Sequence, residues 1–182
     1  MAALVSDGLV RSIGMSNYER DDIGLCHEQR AVDVIQTGLS LLDYLDDRSL
    51  IAWCGEQDIA VTIYDPLAGG LLTDRPFEQI REQWIGTAWE DSGFFRRLLT
   101  LDRADRTKRV VDGLRQVAAQ LGATTAQVAI AWLLRQPGVT SAIPGTSTPD
   151  RARDNAHAAN LELPDSAAQA LEDLIPLGPT FT

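Results

Sequence analysis

Histidine, cysteine and lysine are scarce in this sequence. Its 182 residues include two histidines, two cysteines and a single lysine, Lys108. Cys26 and Cys54 form no CxxC pair, and His27 and His157 stand in separate stretches of helical composition, where we expect solvated surface residues. Because a metal site needs a cluster of such ligands, we predict no metal site. Two unpaired thiols are typical of a reduced, intracellular protein.

Basic charge and long apolar runs are scarce as well. The 26 acidic and 16 basic residues give a net charge of -10, which disfavours nucleic acid and anionic membranes as partners. The sequence shows neither a leader pattern nor an apolar run of about 18 residues, so we expect a soluble, cytoplasmic protein without a membrane span. Its 45% hydrophobic content is enough for one domain over residues 1–182.

What the sequence does contain is four short apolar runs separated by stretches of helical composition. Strands are predicted at residues 9–15, 32–36, 58–64 and 140–143. Helices are predicted at residues 19–27, 47–57, 105–121, 124–135, 149–158 and 164–175. Residues 1–8 are typical of a helix end closed by Gly8. Because parallel neighbours need a crossover that a helix supplies, this order predicts an α/β fold of four parallel βα units.

Four parallel βα units with extra helices correspond to half of an eight-stranded (β/α)8 barrel, the TIM barrel. A half barrel leaves the inner face and two edges of its sheet uncovered. We therefore expect the chain to have a partner, and a homodimer is one form that this partner can take.

Residues 74–104 follow a turn-rich segment and show no clear periodicity, which predicts an irregular stretch. Four large aromatic residues lie within it, namely Trp84, Trp89, Phe94 and Phe95. Long loops in compact domains are often lids or binding loops. Two interpretations stay open, since these aromatic residues can cover the edge of the core or contact a ligand.

Residues 139–155 combine a strand, a glycine turn and the start of a helix. The strand ends at Pro144 and Gly145, three hydroxyl residues follow, and Arg151 and Arg153 lie in the first turns of the helix. Free N–H groups at a helix start carry partial positive charge, and arginines add charge-assisted bonds, so this stretch can hold an anion. An ordinary capped helix after a strand is the alternative.

Four motifs in this order resemble the aldo-keto reductase family. They are GLVRSIGMSN at residues 8–17, VDVIQ at 32–36, YDPLAGGLLT at 64–73 and IPGTSTPDRARDN at 143–155. Members of that family are NADPH-dependent (β/α)8 barrels that reduce aldehydes and ketones. The resemblance covers almost the whole chain and corresponds to strands five to eight of the family barrel.

The resemblance implies a binding site for NADP(H) at the carboxyl ends of the four strands. Ser16, Asn17 and Gln36 would bond the nicotinamide carboxamide, and Tyr64 would stack on the nicotinamide ring. The loop over the pyrophosphate would comprise Asp65, Pro66, Leu67, Gly69 and Leu71. The adenosine end would lie beside Ile143, with Gly145, Ser147 and Arg151 near the 2′-phosphate and with Asp154 and Asn155 near the adenine. Taken singly, each residue also has a plain structural interpretation, such as a strand-end amide or a core aromatic.

Two residues depart from the family pattern. Asp65 stands where relatives more often have Ser or Asn, and its charge would oppose a pyrophosphate unless it points away or meets Arg75. Ser147 stands where many relatives carry Lys or Arg. The preference for a 2′-phosphate would therefore depend on Arg151, with help from Arg153.

The catalytic Asp, Tyr, Lys and His of the family come from its first four strands, so the resemblance assigns no catalytic residue to this chain. We predict the NADP(H)-binding half of an oxidoreductase, which needs an N-terminal half before it can act on a small carbonyl substrate. One alternative is a non-catalytic nucleotide-binding or interaction module that forms a half-barrel dimer. A repurposed isomerase or cyclase, with Tyr18, Tyr64 or Asp65 as acid or base, is a third hypothesis.

Overall fold

The computed structural model describes residues 1–42, 48–87 and 90–175. Four strands form one parallel sheet in chain order, with each strand next to its sequence neighbour. They are β1 (Gly14–Ser16), β2 (Val34–Gly38), β3 (Ala60–Tyr64) and β4 (Val139–Ile143). The predicted α/β fold with four parallel strands is confirmed.

The described helices follow the strands as expected of βα units. They are α1 (Ala2–Ser6), α2 (Arg20–Gln29), α3 (Arg48–Glu56), α4 (Phe77–Trp84), α5 (Gly93–Leu99), α6 (Leu101–Leu121), α7 (Thr125–Leu134), α8 (Pro149–His157) and α9 (Asp165–Glu172). Short 3-10 turns lie at Ala68–Gly70 and Ala158–Asn160. No single described helix is long and apolar enough to cross a membrane, although α6 from Arg103 and α7 pass that test jointly across a 96° bend.

The prediction of an irregular segment at residues 74–104 was wrong. The segment holds α4, α5 and the first turn of α6. The buried positions of α4 are Phe77, Ile80 and Trp84, an i, i+3, i+7 spacing that turns one apolar stripe toward the core. Trp84 thus covers the core. Trp89 lies outside the described residues, as do the side chains of Phe94 and Phe95.

The first predicted strand and one histidine also differ from expectation. Only Gly14 and Met15 of the 9–15 run join the sheet, and β1 then extends to Ser16. Leu9 and Val10 instead direct their N–H groups back to the Leu4 carbonyl of α1. His27 is not a solvated surface residue. It is half-buried, and its Nδ1 accepts a bond from the Val32 N–H at 3.1 Å.

The two faces of the sheet have opposite character. Ile35, Val61 and Ile63 point to the helix-covered face and are at most 2% exposed. The strand register places four polar residues side by side on the other face, namely Ser16, Gln36, Thr62 and Ser141. These four are exposed or half-buried. Because successive strand residues alternate between faces, one sheet carries an apolar core and a polar open surface.

The two cysteines are both free thiols. Cys26 is exposed, whereas Cys54 is completely buried on the core-facing side of α3. Burial raises the pKa of the Cys54 thiol to about 11, so this group stays protonated at neutral pH and packs as a small apolar side chain.

Candidate functional site

The carboxyl ends of β1 and β3 are joined by a hydrogen bond between side chains. The Tyr64 hydroxyl donates to Asn17 Oδ1 at 2.9 Å. Asn17 adopts φ 59°, a left-handed conformation that its short polar side chain tolerates. The Tyr64 ring crosses the end of β2 above Gly38, where an added Cβ would lie 2.9 Å from the ring. Glycine at position 38 therefore allows the ring to cover this strand end.

Ser16 and Gln36 lie beside Tyr64 with their polar groups free. They are register partners on β1 and β2, and both are exposed. Neither side chain forms a hydrogen bond within the described parts of the chain. A hydroxyl and an amide that lie side by side offer both donors and acceptors, which suits a ligand with a carboxamide group.

A tight turn follows β3. Asp65 and Ala68 have positive φ values of 51° and 49°, and Asp65 Oδ1 accepts the Gly69 N–H at 2.8 Å. Desolvation by the surrounding protein raises the pKa of the Asp65 carboxyl above its usual value, and the bond from Gly69 opposes that shift. Asp65 nevertheless keeps part of its surface exposed to solvent. Its carboxylate bonds Gly69 rather than Arg75, whose guanidinium donates to Gln83 at 2.6 Å.

A cavity of about 760 Å³ opens between this turn and the start of α8. The first wall comprises Asp65, Leu67, Gly69, Gly70, Thr73, Asp74, Arg75 and Pro76. The second wall comprises Gly145, Thr146, Ser147, Arg151, Asp154 and Asn155. Ala126 of α7 lies between the walls. The volume is that of a typical small-molecule site, and glycines on both walls let a ligand approach the backbone.

The two arginines of α8 have different surroundings. Arg151 lines the cavity, and its guanidinium lies 3.5 Å from the Ser147 hydroxyl. Arg153 pairs with Asp150 at 2.7 Å, outside the cavity. The Thr148 hydroxyl caps the helix by accepting the Arg151 N–H. Of the two arginines of α8, only Arg151 is therefore placed to meet an anion in the cavity.

Asp154 and Asn155, the last two residues of the motif at 143–155, also differ in their hydrogen bonds. Asp154 Oδ1 accepts from Gln127 Nε2 at 2.6 Å, and Oδ2 accepts from the Thr124 hydroxyl at 3.0 Å. Asn155 is 8% exposed, lines the cavity and forms no side-chain hydrogen bond among the described residues. Its amide is thus a free polar group at an otherwise buried position.

The structure separates the predicted site residues into groups. The cavity contains Asp65, Leu67, Gly69, Gly145, Ser147, Arg151, Asp154 and Asn155. Ser16, Asn17, Gln36 and Tyr64 lie at the neighbouring strand ends and do not line it. Pro66 and Leu71 are buried, so Leu71 has only its backbone to offer a ligand. Ile143 is 46% exposed at the end of β4.

Sequence reasoning missed several residues of this cavity, namely Gly70, Thr73, Asp74, Pro76 and Ala126. It included Thr146 among the three hydroxyl residues after Gly145, and it named Arg75 only as a partner for Asp65. The start of α7 was predicted at residue 124, where Thr124 and Gln127 form a capping box of the spacing T-x-x-Q. Its contacts across the fold have no such signal. Within the described residues, no group of three or more His, Cys, Asp or Glu side chains is placed to hold a metal ion.

Known sequences and structures resemble this chain over nearly all of its length. The profile of the Aldo/keto reductase family matches residues 1–176. An NADH-specific methylglyoxal reductase from Escherichia coli is 30% identical over 174 residues, which are 94% of this chain and 50% of that protein. An aldo/keto reductase from Synechocystis is 30% identical over 161 residues, 87% of this chain and 41% of that protein.

Solved structures agree on the fold. A glycerol dehydrogenase from Gluconobacter oxydans superposes with a TM-score of 0.79 at 21% identity, over 99% of this chain and 55% of that one. An aldo-keto reductase from Bacillus halodurans superposes with a TM-score of 0.73 at 20% identity, over 97% of this chain and 54% of that one. The chain spans about half the length of the curated relatives it matches. Since these structures are TIM barrels, the prediction of a partial barrel is confirmed.

Proposed function

This chain belongs to the aldo/keto reductase family, and from that premise we propose that it forms the nucleotide-binding half of an NADP(H)-dependent oxidoreductase. The observation that carries the proposal is the cavity of about 760 Å³, which brings the turn after β3 and the start of α8 together at the carboxyl edge of the sheet. Barrels of this type bind their ligands at that edge. The bound cofactor would supply a hydride for a carbonyl group.

The described residues fit such a cofactor along its length. The Arg151 guanidinium would meet a phosphate, and the buried amide of Asn155 would bond a purine edge. Gly69 and Gly70 would admit the pyrophosphate close to the backbone. Ser16 and Gln36 would bond the carboxamide.

Tyr64 would present its ring to the nicotinamide. Its bond to Asn17 fixes that ring at the end of β2 before any ligand arrives. A fixed aromatic surface reduces the ordering cost of stacking.

The choice between NADP(H) and NAD(H) rests on Arg151 in this proposal. The Escherichia coli relative is named as NADH-specific, so family membership leaves the choice open. Arg151 is the arginine of α8 that lines the cavity, whereas Arg153 is engaged by Asp150. A guanidinium and a phosphate form strong charge-assisted bonds, which favours the cofactor with a 2′-phosphate.

We assign no catalytic residue to the described part of the chain. Since it spans about half the length of its relatives, the groups that protonate the carbonyl would come from the other βα units. Those units would belong to a longer form of this polypeptide or to a second chain. A small carbonyl substrate and a cytoplasmic location are parts of the same proposal.

Titration and turnover measurements test the proposal in sequence. The chain alone should bind NADPH more tightly than NADH, measured by calorimetry. It should oxidise NADPH with aldehyde substrates only when it is co-expressed with the four N-terminal βα units of a relative. The absence of NADPH binding would refute the nucleotide site, and turnover by the chain alone would refute the need for complementation.

A non-catalytic half-barrel homodimer is the second candidate, favoured by the sheet itself. β1 and β4 each pair on one side only within the described residues, and the sheet face with Ser16, Gln36, Thr62 and Ser141 is open. A second cavity of about 490 Å³ lies beside β4 between α7 and α8. This candidate predicts a discrete dimer that binds NADPH without turnover. A monomer in sedimentation at micromolar concentration would contradict it.

A further inference from the structure

The first turn of α7 bonds to both walls of the cavity. The N–H of Thr125 donates to Asp74 Oδ1 of the first wall at 3.2 Å, and its hydroxyl donates to the same oxygen. The Thr124 hydroxyl and the Gln127 amide donate to the two carboxylate oxygens of Asp154 in the second wall. The partners are separated by 51, 30 and 27 positions in the chain. Tertiary structure, rather than local turns, therefore creates these contacts.

The surroundings of these bonds make their loss destabilising. Thr125 is 1% exposed, so loss of its partner would leave a polar group without water. Both acceptors are carboxylates at the start of a helix, where the helix dipole favours negative charge. Charge-assisted bonds in such a place fix geometry more firmly than bonds between exposed groups.

From this arrangement we propose that Thr124, Thr125 and Gln127 form a clamp that sets the spacing of the two cavity walls for a dinucleotide. The inference rests on the proposed nucleotide-binding function. Ala126, which stands between Thr125 and Gln127 in the chain, also lines the cavity. The clamp holds the pyrophosphate wall through Asp74 and the adenosine wall through Asp154.

Asp154 has a different role in this account from the one its motif implies. Both of its carboxylate oxygens are engaged by α7, so it positions the helix rather than bonding the adenine. Arg151 lies three residues before it, on the same side of α8, and Asn155 follows it directly. Tethering Asp154 therefore sets the places of the two α8 side chains that would touch the nucleotide.

A second tether limits how far the first wall can move. Arg115 of α6 donates to the backbone carbonyl of Thr73 at 3.3 Å and to that of Arg75. Loss of one clamp bond should thus loosen the wall without releasing it. The expected effect on affinity is several-fold, not complete.

The test compares two buried threonines. Thr125→Val removes the hydroxyl that bonds Asp74 and keeps the side-chain volume. Thr107→Val is the matched control, because the Thr107 hydroxyl is also buried and donates to the Leu98 carbonyl at 2.7 Å, away from the cavity lining. Each variant loses one buried hydroxyl bond, and Thr125→Val should lose somewhat more stability because its bond is charge-assisted. Affinities are measured for NADPH and for adenosine 2′-phosphate, and amide exchange is followed in residues 69–76 of the free protein.

We expect Thr125→Val to weaken NADPH binding about fivefold and to speed amide exchange in residues 69–76. Adenosine 2′-phosphate, which reaches only the second wall, should keep its affinity within about twofold. The control should match the wild type in all three measurements. Equal NADPH affinity in the two variants, or an equal loss for both ligands, would overturn the clamp. If the wild type binds no nucleotide, the proposed function fails and the clamp fails with it.

Discussion

The adenosine end and the nicotinamide end of the proposed cofactor site are built in different ways. At the adenosine end, two walls enclose a cavity of about 760 Å³, and bonds to α7 hold both walls. At the nicotinamide end, Ser16 and Gln36 are exposed, and a single bond joins Tyr64 to Asn17. A bound cofactor would be enclosed at the adenosine end and covered on one side only at the nicotinamide end.

This difference indicates which interactions the chain completes by itself. The cavity needs only α7, the start of α8 and the turn after β3, all of which lie among the described residues. The nicotinamide end opens toward the polar sheet face, which the remaining units of a closed barrel would cover. We therefore expect most of the binding free energy of this chain to come from the adenosine end.

The largest effect is expected for Arg151→Ala. Loss of a charge-assisted bond to the 2′-phosphate should weaken NADPH binding by about 10- to 100-fold and leave NADH binding nearly unchanged. Arg153→Ala is the matched control, because Arg153 pairs with Asp150 outside the cavity. Calorimetric titration of both variants with both cofactors makes the measurement. Equal losses of NADPH affinity in the two variants would show that Arg151 does not bind the 2′-phosphate.

A smaller effect is expected for Gly145→Val. A Cβ at Gly145 meets no protein atom within 4 Å, so the variant should fold with an unchanged melting temperature. Its side chain would occupy space in the cavity and weaken NADPH binding by about tenfold. The NADPH affinity of Gly145→Ala should lie between those of the valine variant and the wild type. Unchanged affinity in the valine variant would place the nucleotide elsewhere.

Asp65→Asn should strengthen NADPH binding by about fivefold. Asparagine tolerates the positive φ of this position and can still accept the Gly69 N–H. Solvent screening limits the repulsion between the exposed carboxylate and a pyrophosphate to about 1 kcal/mol. Weaker binding by the asparagine variant would mean that Asp65 does not face the pyrophosphate.

The pH dependence of affinity gives the same comparison without a change in side-chain shape. Desolvation raises the pKa of Asp65, so its carboxylate takes up a proton at a higher pH than an ordinary aspartate does. Protonation removes the negative charge, and NADPH affinity should therefore rise as pH falls through that raised pKa. The asparagine variant should lack this rise. A rise of equal size in both proteins would assign it to another group.

The smallest effect on adenosine binding is expected for Tyr64→Phe. The variant loses the bond to Asn17 and about 1 kcal/mol of folding stability, measured by chemical denaturation. Its affinity for adenosine 2′-phosphate should stay within about twofold of the wild type. A large loss of that affinity would show that the two ends of the site are energetically coupled, which would contradict the contrast drawn between them.

Apolar runs bounded by Gly, Pro or Asn predicted the four strands, because burial and chain reversal leave local marks in a sequence. The helices α4 and α5 were missed, since the turn-forming residues before Phe77 hid the stripe of Phe77, Ile80 and Trp84. The family resemblance indicated many of the cavity residues. It did not indicate Asp74 or Thr125, whose bond joins positions 51 apart and leaves no mark in either neighbourhood.

Titration of the wild-type chain with fragments of the cofactor tests the central claim most directly. Three ligands are compared by calorimetry: NADPH, adenosine 2′,5′-bisphosphate and nicotinamide mononucleotide. If the chain completes only the adenosine end, the bisphosphate should bind within about tenfold of NADPH, and the mononucleotide should show no saturable binding. Tight binding of the mononucleotide, or no binding of the bisphosphate, would contradict the account.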